Sequence, residues 1–159
     1  MPPRPINEYQ VGWVCALPKE MAAVRAILDE EHGPMPSQDA QDRNNYVLGH
    51  IYSHNVVIAC LPAGVDGTNA AAIVAVNILR TFKGLRFGLM VGIGGGIPNL
   101  DKGVDIRLGD VVVSQPDKTH GGVVQYDKGK SLEGGKFERK GALNKPLSLL
   151  LAALTSLQA

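Results

Sequence analysis

Residues Phe87-Gly88-Leu89-Met90-Val91 form a short, wholly apolar run, and four of the next five positions, Gly92-Ile93-Gly94-Gly95-Gly96, are glycine. A run of that length reads as a strand buried on both faces of a sheet, and the glycines let the backbone turn sharply at its end with no side chains in the way. In open α/β sheets small ligands bind in the crevice beyond the strand ends, so this loop is the first place to look for function.

The rest of the chain repeats that grammar. Val11 to Leu17 is a second apolar run. Pro18 follows at once, and Met21, Val24, Ile27 and Leu28 recur at helical spacing, which predicts a strand, a turn and a helix running to about Asp29. Glu31 to Arg43 reads as a loop. Asn45 to Ser53 and Asn55 to Pro62 read as a hairpin turning at Ser53-His54. A further turn, Ala63 to Thr68, leads into the helix Ala70 to Leu79, capped by Thr68 or Asp66. Its almost wholly apolar surface predicts deep burial. Val111 to Ser114 reads as another strand, Val123 to Tyr126 as one more, and Pro146 to Leu157 as an amphipathic helix.

At 159 residues the chain has the length of one domain with a real core. Its 16 basic and 15 acidic side chains leave a net charge of +1, which gives no electrostatic case for nucleic acid or a membrane surface as partner. Cys15 and Cys60 each fall inside an apolar strand and are expected to be reduced thiols. No stretch approaches the ~20 apolar residues of a membrane span, and the start has no signal-peptide pattern, so a soluble, cytoplasmic protein is expected.

Several motifs fail on inspection. A dinucleotide fingerprint needs a third glycine where Ile97 stands, and a phosphate-binding P-loop ending in Gly129-Lys130-Ser131 needs one at Val124. His32, His50 and His54 share no ligand spacing with one another or with the cysteines, so no metal site is expected. Glu20 stands out. In the first helical turn its carboxylate interacts well with the helix dipole, and at the mouth of the turn it can also polarise a water for attack on an electrophilic carbon.

Four blocks taken together carry a resemblance. Cys15-Ala16-Leu17-Pro18-Lys19-Glu20-Met21, Ala63-Gly64-Val65 before an alanine-rich helix, Val91-Gly92-Ile93-Gly94-Gly95-Gly96, and Leu108-Gly109-Asp110-Val111-Val112-Val113-Ser114 occur in that order. The order and spacing resemble the nucleoside phosphorylase and nucleosidase superfamily, closest to its fungal branch, whose domains often precede NACHT-type or ankyrin-repeat signalling regions. The resemblance implies a three-layer α/β/α fold with a mixed central sheet. Residues 1–8 would be a disordered lead and residues 9–159 a partial nucleoside phosphorylase-like domain, truncated at its C-terminal side.

The family cleaves the N-glycosidic bond of nucleosides through an oxocarbenium-like sugar, attacked by phosphate or by water. Its phosphorylases place arginines in the first turn and just before the glycine loop, where this chain has Leu17-Pro18-Lys19-Glu20 and Met90. Glu20 matches the nucleosidase glutamate that orients water, so hydrolysis is favoured over phosphorolysis. The resemblance implies that Glu20 is catalytic and that Ala16, Leu17, Gly64, Val65, Gly92, Ile93, Gly94 and Gly95 bind substrate. The helix N-terminus near Gly67 and Thr68 is expected to suit a 5′-phosphate. The expected partners are a purine nucleoside or nucleotide, with water or phosphate as co-substrate and no cofactor. Gln125 to Asp127 would border a sugar or a neighbour in a homo-oligomer.

Two departures matter. Ile93 stands where the family has serine or threonine. The methionine-glutamate pair that grips the ribose and the aspartate that protonates the purine have no counterpart in residues 1–159. Asp110 is expected to fix a turn, and His120 to lie either on a solvated loop or at the crevice. The competing reading is a non-catalytic module of the same fold, used for ligand sensing or oligomerisation in a larger signalling protein.

Overall fold

The computed structural model describes residues 4–159, which fall into two compact units, residues 4–95 and 96–159. In the N-terminal unit, β1 (Val11–Cys15) leads into α1 (Pro18–Ala26), followed by β2 (Glu30–Glu31), β3 (Tyr46–Ile51), β4 (His54–Cys60), α2 (Gly67–Thr81) and β5 (Phe87–Met90). The five strands form one sheet in the order β2-β3-β4-β1-β5. It is mixed, because β4 and β5 run parallel to β1 on its two sides while β2-β3 and β3-β4 are antiparallel. The fold is therefore α/β, with helices flanking a mixed sheet.

The alternation of strand side chains decides which helix lies where. Val11 and Cys15 of β1 and Val56 and Ile58 of β4 pack with Val24 of α1. Val14, Val57 and Ala59 point the opposite way and pack with Val74, Ile78 and Phe82 at α2. One helix thus covers each face, and Val57, Ile58, Ala59, Cys15, Tyr9 and Phe82 are fully buried between the layers. Tyr9 and Tyr46 both meet the Phe82 ring edge-on, with centroids 5.6 and 5.1 Å away.

Several expectations are corrected in this unit. Phe87–Met90 is a strand, but it closes one side of the sheet instead of lying inside it, and Met90 is 67% exposed. The hairpin turns one residue earlier than Ser53-His54: Ile51 pairs with His54, and Tyr52 takes the positive φ of +50° that a two-residue hairpin turn favours at its first central position. Glu30–Glu31, expected at the edge of a loop, adds a short strand to β3. The helix after Thr68 is not buried all round. Val74, Asn77, Ile78 and Thr81 face the core while Ile73, Val76 and Leu79 are exposed, because only one side of α2 meets the sheet. Asp66 occupies its N-cap position without a capping hydrogen bond, and Thr68 lies inside the helix. Part of the lead before β1 has local structure. Ile6–Glu8 forms a 3-10 turn, and Asn55 donates to the Glu8 carbonyl. The part of the expected disordered lead covering residues 1–3 lies outside the described residues.

The C-terminal unit is built differently. The antiparallel hairpin β6 (Gly129–Ser131) and β7 (Phe137–Arg139) precedes α3 (Ser148–Gln158). Neither Val111–Ser114 nor Val123–Tyr126 is a strand, since neither finds a ladder partner among the described residues. No side chain of residues 96–159 is fully buried, and Val111, Val112 and Leu157 are more than three-quarters exposed. Asp110 does fix a turn, its carboxylate accepting the Arg107 N–H at 2.9 Å. Among the described residues no helix is long and apolar enough to cross a membrane.

Candidate functional site

The parallel strands β4, β1 and β5 end together, and α1 and α2 leave that end on opposite faces. Such a divergence opens a crevice beyond the carboxyl ends of the strands. Three segments border it: the turn Ala16-Leu17 after β1, the stretch 61–66 after β4, and Val91 to Gly95 after β5.

Glu20 ties two of these segments together. Pro18 opens α1, so Leu17 is the residue before the helix and Glu20 the third within it. From there the carboxylate folds back. Its Oε2 accepts the N–H of Ala16 at 2.7 Å and of Leu17 at 2.9 Å, satisfying donors at the helix start as one half of a capping box does. Its Oε1 accepts the N–H of Ile93 at 2.9 Å, across 73 residues of chain. The same carboxylate thus caps the first helix and clamps the glycine loop.

Gly92 makes that reach feasible. A Cβ at position 92 would sit 2.6 Å from Glu20 Oε1, closer than nonbonded atoms approach, so any side chain there displaces the carboxylate. A methyl group added at Gly94 or Gly95 would meet nothing within 4 Å, so these two present an open backbone shelf. Val91 is anchored by its N–H to the Val14 carbonyl at 3.0 Å, which extends the β1-β5 pairing to the threshold of the loop.

Burial pushes the Glu20 pKa up, but the N–H groups of Ile93, Leu17 and Ala16 and the charge of Lys19 outweigh it and hold the carboxyl below its ordinary range. Glu20 is therefore an anion at neutral pH. An ionised carboxylate has about four lone-pair sites. Three are filled, which leaves one, on Oε1, for an outside donor such as water.

The segment after β4, leading into α2, stands apart. Gly64 and Gly67 take φ of +76° and +87°, a left-handed backbone suited to glycine, and a Cβ at either would meet nothing within 4 Å. Val65 is exposed, and its N–H closes a turn onto the Pro62 carbonyl. Among the described residues no hydrogen bond joins Gly64, Val65, Gly67 or Thr68 to Glu20 or to the glycine loop. The structure thus brings Ala16, Leu17, Glu20, Gly92 and Ile93 into contact and leaves the α2 start as a separate open helix end.

Beside this site, Cys15 and Cys60 are register partners on β1 and β4, both free thiols. Burial, with the Cys60 thiol alongside, pushes Cys15 up to about 12, so it remains a protonated, apolar side chain.

Two polar clusters lie elsewhere in the unit. The buried Tyr9 hydroxyl meets His32 Nδ1 at 2.8 Å, and His32 Nε2 meets His50 Nδ1 at 3.2 Å. Burial and the neighbouring His50 hold His32 below its ordinary pKa. Buried Asp42 accepts hydrogen bonds from Tyr46, Thr81 and the Asn44 N–H, fastening the stretch before β3 to α2. No spacing in the chain pointed to either cluster. The signal for the first was the pairing of β2 with β3, which sets Glu31 opposite Gly49 and brings His32, one residue on, to donate its N–H to the Leu48 carbonyl at 2.7 Å.

Among curated proteins the chain is similar to a nucleotide-binding leucine-rich repeat (NLR)-like protein of Hyaloscypha variabilis, at 57% identity over 153 residues. The match covers 96% of this chain and 15% of that protein, so the chain spans a small part of the relative's length. No family model and no solved structure matches the chain.

Proposed function

We propose that the chain is a nucleoside phosphorylase-like domain that cleaves the N-glycosidic bond of purine nucleosides or nucleotides, with water as the attacking group, in the cytoplasm. The observation that carries this reading is the Glu20 carboxylate, held anionic at the strand ends by three main-chain N–H groups with one lone pair to spare. An anion of lowered pKa is a weak proton acceptor. It serves better by orienting a water and steadying positive charge on the water and the sugar as the glycosidic bond opens. Lys19 is the only cation in the first turn, and Met90 precedes the glycine loop. A phosphate dianion placed there would meet the Glu20 charge without an arginine to hold it, which favours hydrolysis. The Gly94-Gly95 shelf suits the close approach of a ribose. The uncapped start of α2 at Gly67 and Thr68 offers free N–H groups to a 5′-phosphate.

A second reading is supported by the similarity to an NLR-like protein of which this chain covers 15%. On that reading the domain binds a nucleoside or assembles with copies of itself within a larger signalling protein, and Glu20 only fastens the glycine loop.

Release of free base from adenosine, inosine, AMP and ATP, with and without phosphate, separates the two. Wild-type protein should release base and Glu20→Gln should be slower by about 10²-fold or more. Equal rates for the two proteins, or no release, would sink the catalytic reading in favour of the sensing module. Faster release with phosphate would overturn hydrolysis.

A further inference from the structure

The β6-β7 hairpin sets charges against one another in two ways. Lys130 faces Glu138 across the ladder, an opposite-charge pair. One step further out, the Lys140 N–H donates to the Lys128 carbonyl at 3.0 Å. Side chains opposite one another in an antiparallel ladder share a face, so this pair puts two ammonium groups on one side, an arrangement that costs stability.

Lys128, Arg139 and Lys140 line a cleft together with His120 and Gln125, and no carboxylate lines it. Among the described residues, none of these three cations forms an ion pair within 4.0 Å or a side-chain hydrogen bond. His120 accepts the Gly122 N–H at Nδ1, 3.2 Å away, which leaves Nε2–H as a donor, with Asp117 Oδ2 4.0 Å from it. The cleft holds about 90 Å³. That is well below the ~300–1,000 Å³ of a pocket for a drug-sized molecule, and on the scale of one small oxyanion.

We infer that this cleft is an anion-binding site for a single phosphate group, free or as the terminal group of a phosphate monoester, held by Lys128 and Lys140 with His120 donating from Nε2. Two ammonium groups on one side of the hairpin repel one another until an anion enters, and a phosphate accepts several charge-assisted hydrogen bonds at once. The two lysines supply point charges. The site lies wholly within residues 96–159 and uses nothing from the Glu20 site, so it stands or falls independently of the proposed reaction.

Amide NMR spectra of the protein titrated with sodium phosphate, at ionic strength held constant with chloride, test this directly. Saturable shifts are expected at His120, Lys140 and Gly141. Lys128→Gln and Lys140→Gln should each weaken phosphate binding about fivefold, while Lys130→Gln, which removes a cation that does not line the cleft, leaves it unchanged. Parallel titration with glycerol 2-phosphate identifies the source: equal or tighter binding points to an esterified phosphate, weaker binding to the free ion. Shifts that fail to saturate, that chloride alone reproduces, or that weaken equally in Lys130→Gln would overturn the site.

Discussion

Glu20 shows how much one side chain can hold and how its charge state controls the hold. Its folded pKa is lowered, so the carboxylate contributes its full stabilisation above the unfolded glutamate value of about 4.3 and loses it as pH falls through the lower folded value. The difference in thermal midpoint between wild type and Glu20→Gln should therefore be constant near neutrality and shrink below about pH 4. Thermal scans from pH 7 to pH 3 measure it; a difference that persists undiminished at pH 3 would mean that the anion is not what holds Ile93. The position of Glu20 was legible from Pro18 and the helical spacing that follows. Its partner Ile93 was not, because a contact spanning 73 residues leaves no trace in local periodicity. The same holds for His32 and His50, which meet only once a strand of two glutamates pairs with β3.

At the scale of elements, sequence and structure agree on where helices and strands begin more than on what covers them. Residues 70–79 are almost all apolar, yet α2 turns only one side to the sheet. Ile58→Ala, in the centre of β4, should cost about 2–5 kcal/mol, since a fully buried isoleucine leaves a cavity between two closed layers. Ile73→Ala, on the exposed side of α2, should stay within about 0.5 kcal/mol, because little packing is lost and alanine favours helix more than isoleucine does. Denaturant unfolding of both variants decides it, and comparable losses would mean that Ile73 is covered. Val111–Ser114 has the composition of a strand and is not one, whereas Gly129–Ser131 and Phe137–Arg139 have little apolar alternation and do pair. The legible signal for that hairpin was Gly134-Gly135, at φ of +77° and +73°, in a five-residue connection.

For the whole molecule the two units should differ in stability. The N-terminal unit buries apolar side chains on both faces of its sheet, and the C-terminal unit buries none fully. Hydrogen exchange should be slowest at β1 and β4 and much faster across residues 107–127, where among the described residues the backbone pairing is limited to the isolated Asp117–His120 bridge. Protection at Val111 to Val113 equal to that of β1 would contradict this and show the segment to be paired. The α/β class, the turn from Cys15 into Pro18 and the glycine loop after Phe87–Met90 were set by the sequence by itself, because periodicity, proline and glycine act over a few neighbouring residues. Only the tertiary structure decided that Glu20 clamps Ile93, that α2 buries a single face, and that Lys128 stands opposite Lys140. Each depends on strand register and on which surfaces meet, quantities that arise when distant segments pack and that no short stretch of chain encodes.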